Sequence, residues 1–193
     1  MFLFARPATQ QIQNYLAAQK DKPFSYKHLG ASANSPPKGY VVDHNRVRLG
    51  TGAHTYKLAM EAINRWKMFD FSWIQLCWPD TSTKKGSVVA VVVQHFGFWS
   101  INSCRVVYEI NDDGPIAKYG FAYGTLVDHA ECGEERFSVE WHKEEDSVWY
   151  DILAFSKPNA LLAKFAYPLA RSLQRKFARA SMEAMLREVQ TSR

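Results

Sequence analysis

Between residues 71 and 155 the sequence runs through six strand-like segments joined by short turns, and then passes into a long run of apolar residues at three-and-four spacing. That order constrains the fold more than any other feature. Short links force successive strands to pair antiparallel, because parallel pairing needs a crossover of a dozen or more residues. The segments are 71–78, 87–95, 98–110, 116–127, 136–143 and 148–155, punctuated by Pro79-Asp80, Gly97, the run Asn111-Asp112-Asp113-Gly114-Pro115 and the charged turn 144–146. A strongly curved sheet cannot cover its own concave face. A long amphipathic helix laid across it closes the core, and any space left between them becomes an internal cavity. The expected fold is therefore α+β: a curved antiparallel six- to seven-stranded sheet gripping a long C-terminal helix.

The N-terminal third supplies the remaining elements. Pro7 followed by Ile12, Tyr15 and Leu16 marks a short helix, and the prolines at 23, 36 and 37 mark a connecting loop. Residues 40–49 alternate as a strand. Gly50-Thr51-Gly52 then leads into a helix over 53–67 with Ala59, Ala62, Ile63 and Trp66 on its buried stripe. Ser156 and Pro158 read as the start of the C-terminal helix, whose stripe is Leu162, Phe165, Leu169, Leu173, Phe177, Ala180 and Ala184, with Pro168 expected to kink it. The 193 residues suit a single domain, burying roughly 70% of its unfolded surface, with 1–38 as N-terminal helix and loop, 39–155 as strand, helix and meander, and 156–193 as the long helix.

Composition excludes several classes. No apolar run is long enough to span a bilayer and the first residues do not form a signal peptide, so a cytoplasmic protein is expected. Cys77, Cys104 and Cys132 are odd in number and widely spaced, which argues against a disulfide framework or a structural zinc site. No metal or cofactor is expected. From 157 onward there are eight Lys or Arg against Glu183 and Glu188, so the C-terminal segment carries all of the net charge of +5. Such a segment suits an anionic membrane surface; nucleic acid is disfavoured, since no motif for it is present.

The least generic stretch is 119–141, read as a hairpin. Its first arm alternates Phe121, Tyr123 and Thr125 with the small residues Gly120, Ala122 and Gly124, which invites the long helix or a ligand to approach the small face. The loop 129–135 carries His129, Glu131, Cys132, Glu134 and Glu135, the residue types for acid-base chemistry or a metal site; His129, Glu131 and Glu135 are the catalytic candidates. Asp43-His44 is a second polar pair, but adjacent strand residues face opposite ways. Arg105, inside an apolar strand, needs a partner: a carboxylate such as Glu109, Glu140 or Asp151, or an anionic group on a ligand. Trp73, Trp99, Tyr119, Phe121, Tyr123 and Trp141, with Phe165 and Leu169 on the helix, are the candidate cavity wall, because an aromatic content of 14% is enough to line a pocket as well as fill a core.

The stretches LGTGAHTYKLAMEAINRWKMFDFSW, YGFAYGTLVDHAECGEERFSVEW and ILAFSKPNALLAKFAYPLARSLQRKF resemble, over most of the chain, a bacterial and plant family known only as a domain of unknown function. The element order is similar to the helix-grip fold of the START lipid-transfer and birch-pollen-allergen superfamily, with an added N-terminal helix and one helix instead of two between the first strands. Neither resemblance supplies a catalytic residue. Together they imply binding of a hydrophobic or amphipathic small molecule between sheet and helix. The alternatives are an enzyme of hydrolase, cyclase or lyase type using the 129–135 loop, and a membrane- or partner-docking protein using the basic helix.

Overall fold

The computed structural model describes residues 1–95, 97–159 and 167–191, without the side chains of 167–169. Its elements are β1 (Phe2–Leu3), α1 (Thr9–Gln19), β2 (Val41–Thr51), α2 (Gly52–Asn64), β3 (Ile74–Cys77), β4 (Val88–Gln94), β5 (Trp99–Asp113), β6 (Ile116–Thr125), β7 (Glu131–His142), β8 (Ser147–Pro158) and α3 (Tyr167–Thr191). Seven strands form one antiparallel sheet in the order β2-β8-β7-β6-β5-β4-β3, and β1 pairs with β5. Strands β3 to β8 follow one another as the meander expected from the turn residues. The curved sheet gripping a C-terminal helix is the expected α+β helix-grip architecture.

Strand alternation divides the sheet into two faces with different covers. On the concave face Val89, Val106, Phe121, Phe137, Val139 and Tyr150 pack against Ala59, Ala62 and Ile63 of α2 and Met185 and Val189 of α3. The Tyr150 hydroxyl meets Ser181 Oγ at 2.8 Å, which satisfies both groups inside that core. On the convex face Ile12 of α1, with Tyr15 and Leu16 beside it, covers Ala90, Val92 and Ile101. The segment after α1 crosses the same face, where Tyr26 packs on Cys132 and Phe155. No helix among the described residues is long and apolar enough to cross a membrane.

Three expectations are corrected. The 129–135 loop is mostly strand, since β7 begins at Glu131 and pairs residue by residue with β8 from Pro158 onward. Hydrogen-bond partners for its three glutamates, described below, hold in a sheet what composition reads as a loop. Ser156 and Pro158 do not start the helix but end β8. Val41 opposite Ser156 is the last β2 partner there, so Pro158 has a strand neighbour on one side only, where a proline is tolerated. Finally, the small face of β6 meets neither long helix nor cavity: a Cβ at Gly124 would collide with the Tyr26 ring. The N-terminal segment takes that space. Leu162 and Phe165 lie outside the described residues, as do the side chains of Pro168 and Leu169.

Candidate ligand cavity

Register places Val106, Tyr123, Glu135, Ala154 and Asp43 in one row across the concave face of β5, β6, β7, β8 and β2. On one side of this row Phe121, Phe137 and Ile152 are fully packed. On the other side Gly133 and Ser156 are too small to fill the space under the helix. The result is a cavity of about 320 Å³ beneath the N-terminal half of α3, which contributes Leu173, Gln174 and Phe177. Phe69, Phe137, Phe177 and Tyr123 form a partition between core and cavity, with ring centroids 5.2–5.6 Å apart for Tyr123–Phe137, Phe69–Phe177 and Phe69–Phe137.

The polar groups of the cavity are few and placed. Glu135 accepts a hydrogen bond from the Tyr123 hydroxyl at 2.9 Å. Burial pushes its carboxyl up to about 8, with the negative charges of Glu131 and Asp43 adding to the effect and the Tyr123 bond opposing it. Glu131 is also raised, by burial first, although Gln174 Nε2 donates to both its oxygens at 2.7 Å and Arg171 offsets part of the shift. Asp43 is held by the Arg171 guanidinium, 2.6 Å from Nη2 to Oδ1. His129 accepts the Glu131 backbone N–H on Nδ1 at 2.9 Å, so its proton sits on Nε2; burial pushes its pKa down to about 4.

Of the residues singled out from sequence, Trp73, Tyr123, His129, Glu131 and Glu135 border the cavity. The others do not. Phe121 is fully buried against Trp66, the Tyr119 hydroxyl donates to Asn64, and Trp141 packs on Tyr56: all three belong to the concave face under α2, not to the cavity wall. Trp99 lies on the convex face, with Arg6 over its ring. Cys132 and Glu134 face away from Glu131 and Glu135, as strand alternation requires, so the five polar residues never converge. Among the described residues no group of three or more His, Cys, Asp and Glu is placed to hold a metal ion.

Arg105 is neither paired with a carboxylate nor aimed at a ligand. Its Nη2 donates to the carbonyls of Gln19, Lys20 and Lys22 at 3.3, 2.7 and 2.9 Å, capping the end of α1 where carbonyls lack helical partners, and its guanidinium sits over Phe24. The expensive cation in an apolar strand is thus satisfied by helix carbonyls, which no pairwise reading of charges in the sequence shows. Arg105→Met is expected to lower unfolding stability by about 1–2 kcal/mol without changing small-molecule binding, measured by urea denaturation alongside a binding titration.

Sequence reasoning missed a second polar chain. Ser100 Oγ lies 2.8 Å from His95 Nε2 and accepts from Asn102 Nδ2 at 2.8 Å, and all three residues border the cavity. Ser100 and Asn102 recur two apart and so share one face of β5, and that was the available signal. The basic face of α3 is partly committed within the fold: besides Arg171 on Asp43, Lys176 stands over the Trp73 ring at 4.5 Å and Arg187 donates to the Asp70 carbonyl at 3.0 Å.

A curved antiparallel sheet, closed by a C-terminal helix that leaves an apolar cavity with buried carboxyls, defines a helix-grip protein. The chain belongs to the family described as a domain of unknown function, DUF1990, whose pattern matches residues 25–184. It is 33% identical over 208 residues to a UPF0548 protein of Dictyostelium discoideum, covering 98% of this chain and 96% of that one. A UPF0548 protein of Arabidopsis thaliana is 33% identical over 205 residues, covering 98% of each. Among solved structures, hypothetical protein jhp0584 from Helicobacter pylori superposes with a TM-score of 0.50 at 11% identity, covering 83% of this chain and 93% of that one, a likeness of fold.

Proposed function

We propose that the protein binds a hydrophobic or amphipathic small molecule in the cavity between the sheet and α3. One observation carries this reading: the core is closed off by the aromatic partition, and beyond it about 320 Å³ stays open behind walls such as Trp73, Val91, Val93 and Leu173. Emptying such a volume of side chains sacrifices packing and burial, at a cost near 24 cal/mol per Å³ in measured cavity series. A volume of this size lies at the lower end of small-molecule sites. The few polar groups at one wall fit a ligand with a polar end.

Ala154 borders the cavity from β8 and is not one of the partition rings, so Ala154→Phe is expected to fill the space from that wall. Titration with the neutral fluorophore N-phenylnaphthylamine is expected to show saturable binding to the wild type, weakened tenfold or more in the variant, with the unfolding midpoint preserved. Equal affinity in the two proteins would place the fluorophore elsewhere and remove the reading. An enzyme reading has one specific support: burial pushes the Glu135 carboxyl up to about 8, so it can donate a proton at neutral pH, while His129 is held as the neutral imidazole.

A further inference from the structure

We infer that the ligand carries a protonated amine, which seats against Glu135 and its neighbour Glu131 while its apolar body lies along the aromatic partition. This rests on the binding reading above. Both carboxyls line the cavity, yet their hydrogen-bond donors are neutral, the Tyr123 hydroxyl for Glu135 and the Gln174 amide for Glu131. The described cations around them are engaged elsewhere or exposed to solvent. Arg171 is bound to Asp43 and Gln174 as well as acting on Glu131, Lys176 stands over Trp73, and Arg175, which also borders the cavity, is exposed to solvent. His95 and His129 are both held towards their neutral forms by burial.

The charges acting on Glu135 are those of Glu131 and Asp43, all acidic. A carboxyl in that setting keeps its proton for want of a counter-charge, and a buried acid recovers its anionic form when a cation arrives beside it. An ammonium group supplies that charge and up to three donors. The faces of Tyr123, Phe69 and Phe177 nearby are suited to the same kind of group and to the body attached to it. A carboxylate or phosphate ligand would meet the opposite beside Glu135: two acids, with the nearby Arg171 already bound to Asp43 and Gln174. Proton balance follows directly. The ammonium keeps its proton, Glu135 gives up its own, and the buffer accepts it.

Calorimetric titration of the whole chain with phenethylamine, phenethyl alcohol and phenylacetate at pH 7 separates the possibilities, because the three share one apolar body. The amine is expected to bind about tenfold or more tightly than the alcohol, phenylacetate more weakly than either. Repeating the amine titration in buffers of different ionisation enthalpy is expected to show release of up to about one proton, absent for the alcohol. Glu135→Gln should abolish both the preference and the proton release, with retained N-phenylnaphthylamine binding and unfolding midpoint reporting that the variant cavity is intact; Glu131→Gln should reduce the preference. Equal affinities for amine and alcohol, or a preference that survives Glu135→Gln, would overturn the inference, and binding of N-phenylnaphthylamine in that same protein would leave the binding reading standing. If neither that fluorophore nor any of the three compounds binds, both fall.

Discussion

Glu135→Gln is expected to stabilise the empty protein at pH 8 and to flatten the fall of stability between about pH 4.5 and 8. The sign follows from proton uptake. A carboxyl whose folded pKa is raised, here from 4.5 to about 8, keeps its proton in the folded state after the unfolded chain has lost it. The folded state therefore binds more protons across that window, and stability falls as pH rises through it, levelling off once both states are ionised. Each unit of displacement is worth about 1.4 kcal/mol, so the ceiling is on the order of 5 kcal/mol, reduced by any water the cavity admits. Glutamine keeps the acceptor for Tyr123 and removes the titration. Glu131, raised in the same direction, leaves a smaller residual slope in the variant. Urea unfolding at several pH values across the window measures this directly, and parallel profiles for wild type and variant would show that the Glu135 carboxyl is hydrated like any surface acid.

Glu134→Ala is expected to destabilise the fold by about 3–5 kcal/mol and to free the N-terminal segment from the convex face. Glu134 is 3% exposed and accepts from the Tyr26 hydroxyl at 2.7 Å, the backbone N–H of Gly30 at 2.8 Å, the N–H of Ser32 at 3.0 Å and the Ser32 hydroxyl at 2.5 Å. One carboxylate thus satisfies four donors from a stretch that has little regular structure of its own. Its removal leaves those donors buried and unmatched, each costing about 1–3 kcal/mol unless the segment peels away into water. Peeling is the expected response. Limited proteolysis should then cut between residues 20 and 40 in the variant far faster than in the wild type, while the sheet stays protected. Unchanged cleavage with lowered stability would mean that the segment is held by Tyr26 and Phe24 packing alone.

The two glutamates show how far the sequence could be read. Turn residues and alternation were enough for the meander and the gripping helix, because a period of two or of three to four depends on local chain geometry; Trp73 and Tyr123 were reached from aromatic content, and His129, Glu131 and Glu135 from residue type. The strand character of 131–135 was not legible. A run of acids with a glycine looks like a loop until its partners are known, and these come from Tyr26 and Ser32 about a hundred residues upstream, from Tyr123 on the neighbouring strand, and from Gln174 on the last helix. Arg105 failed the same way, since its acceptors are the carbonyls of a helix end, which carry no sequence signature. Trp99, Tyr119, Phe121 and Trp141 were placed in a cavity on composition, but which aromatics line a space depends on where two helices rest on a curved sheet.

The ring partition of Phe69, Phe137, Phe177 and Tyr123 bears on how this protein can change over time. Nearly everything that keeps the chain folded on the concave side lies to one side of it, and the open space lies to the other. Substitutions at positions such as Ala154 or Leu173 alter the shape of that space while Phe137, Tyr150 and Met185 stay within the core cluster. Under the proposed binding function, relatives that share the scaffold are free to exchange one guest for another, so a ligand should be sought protein by protein.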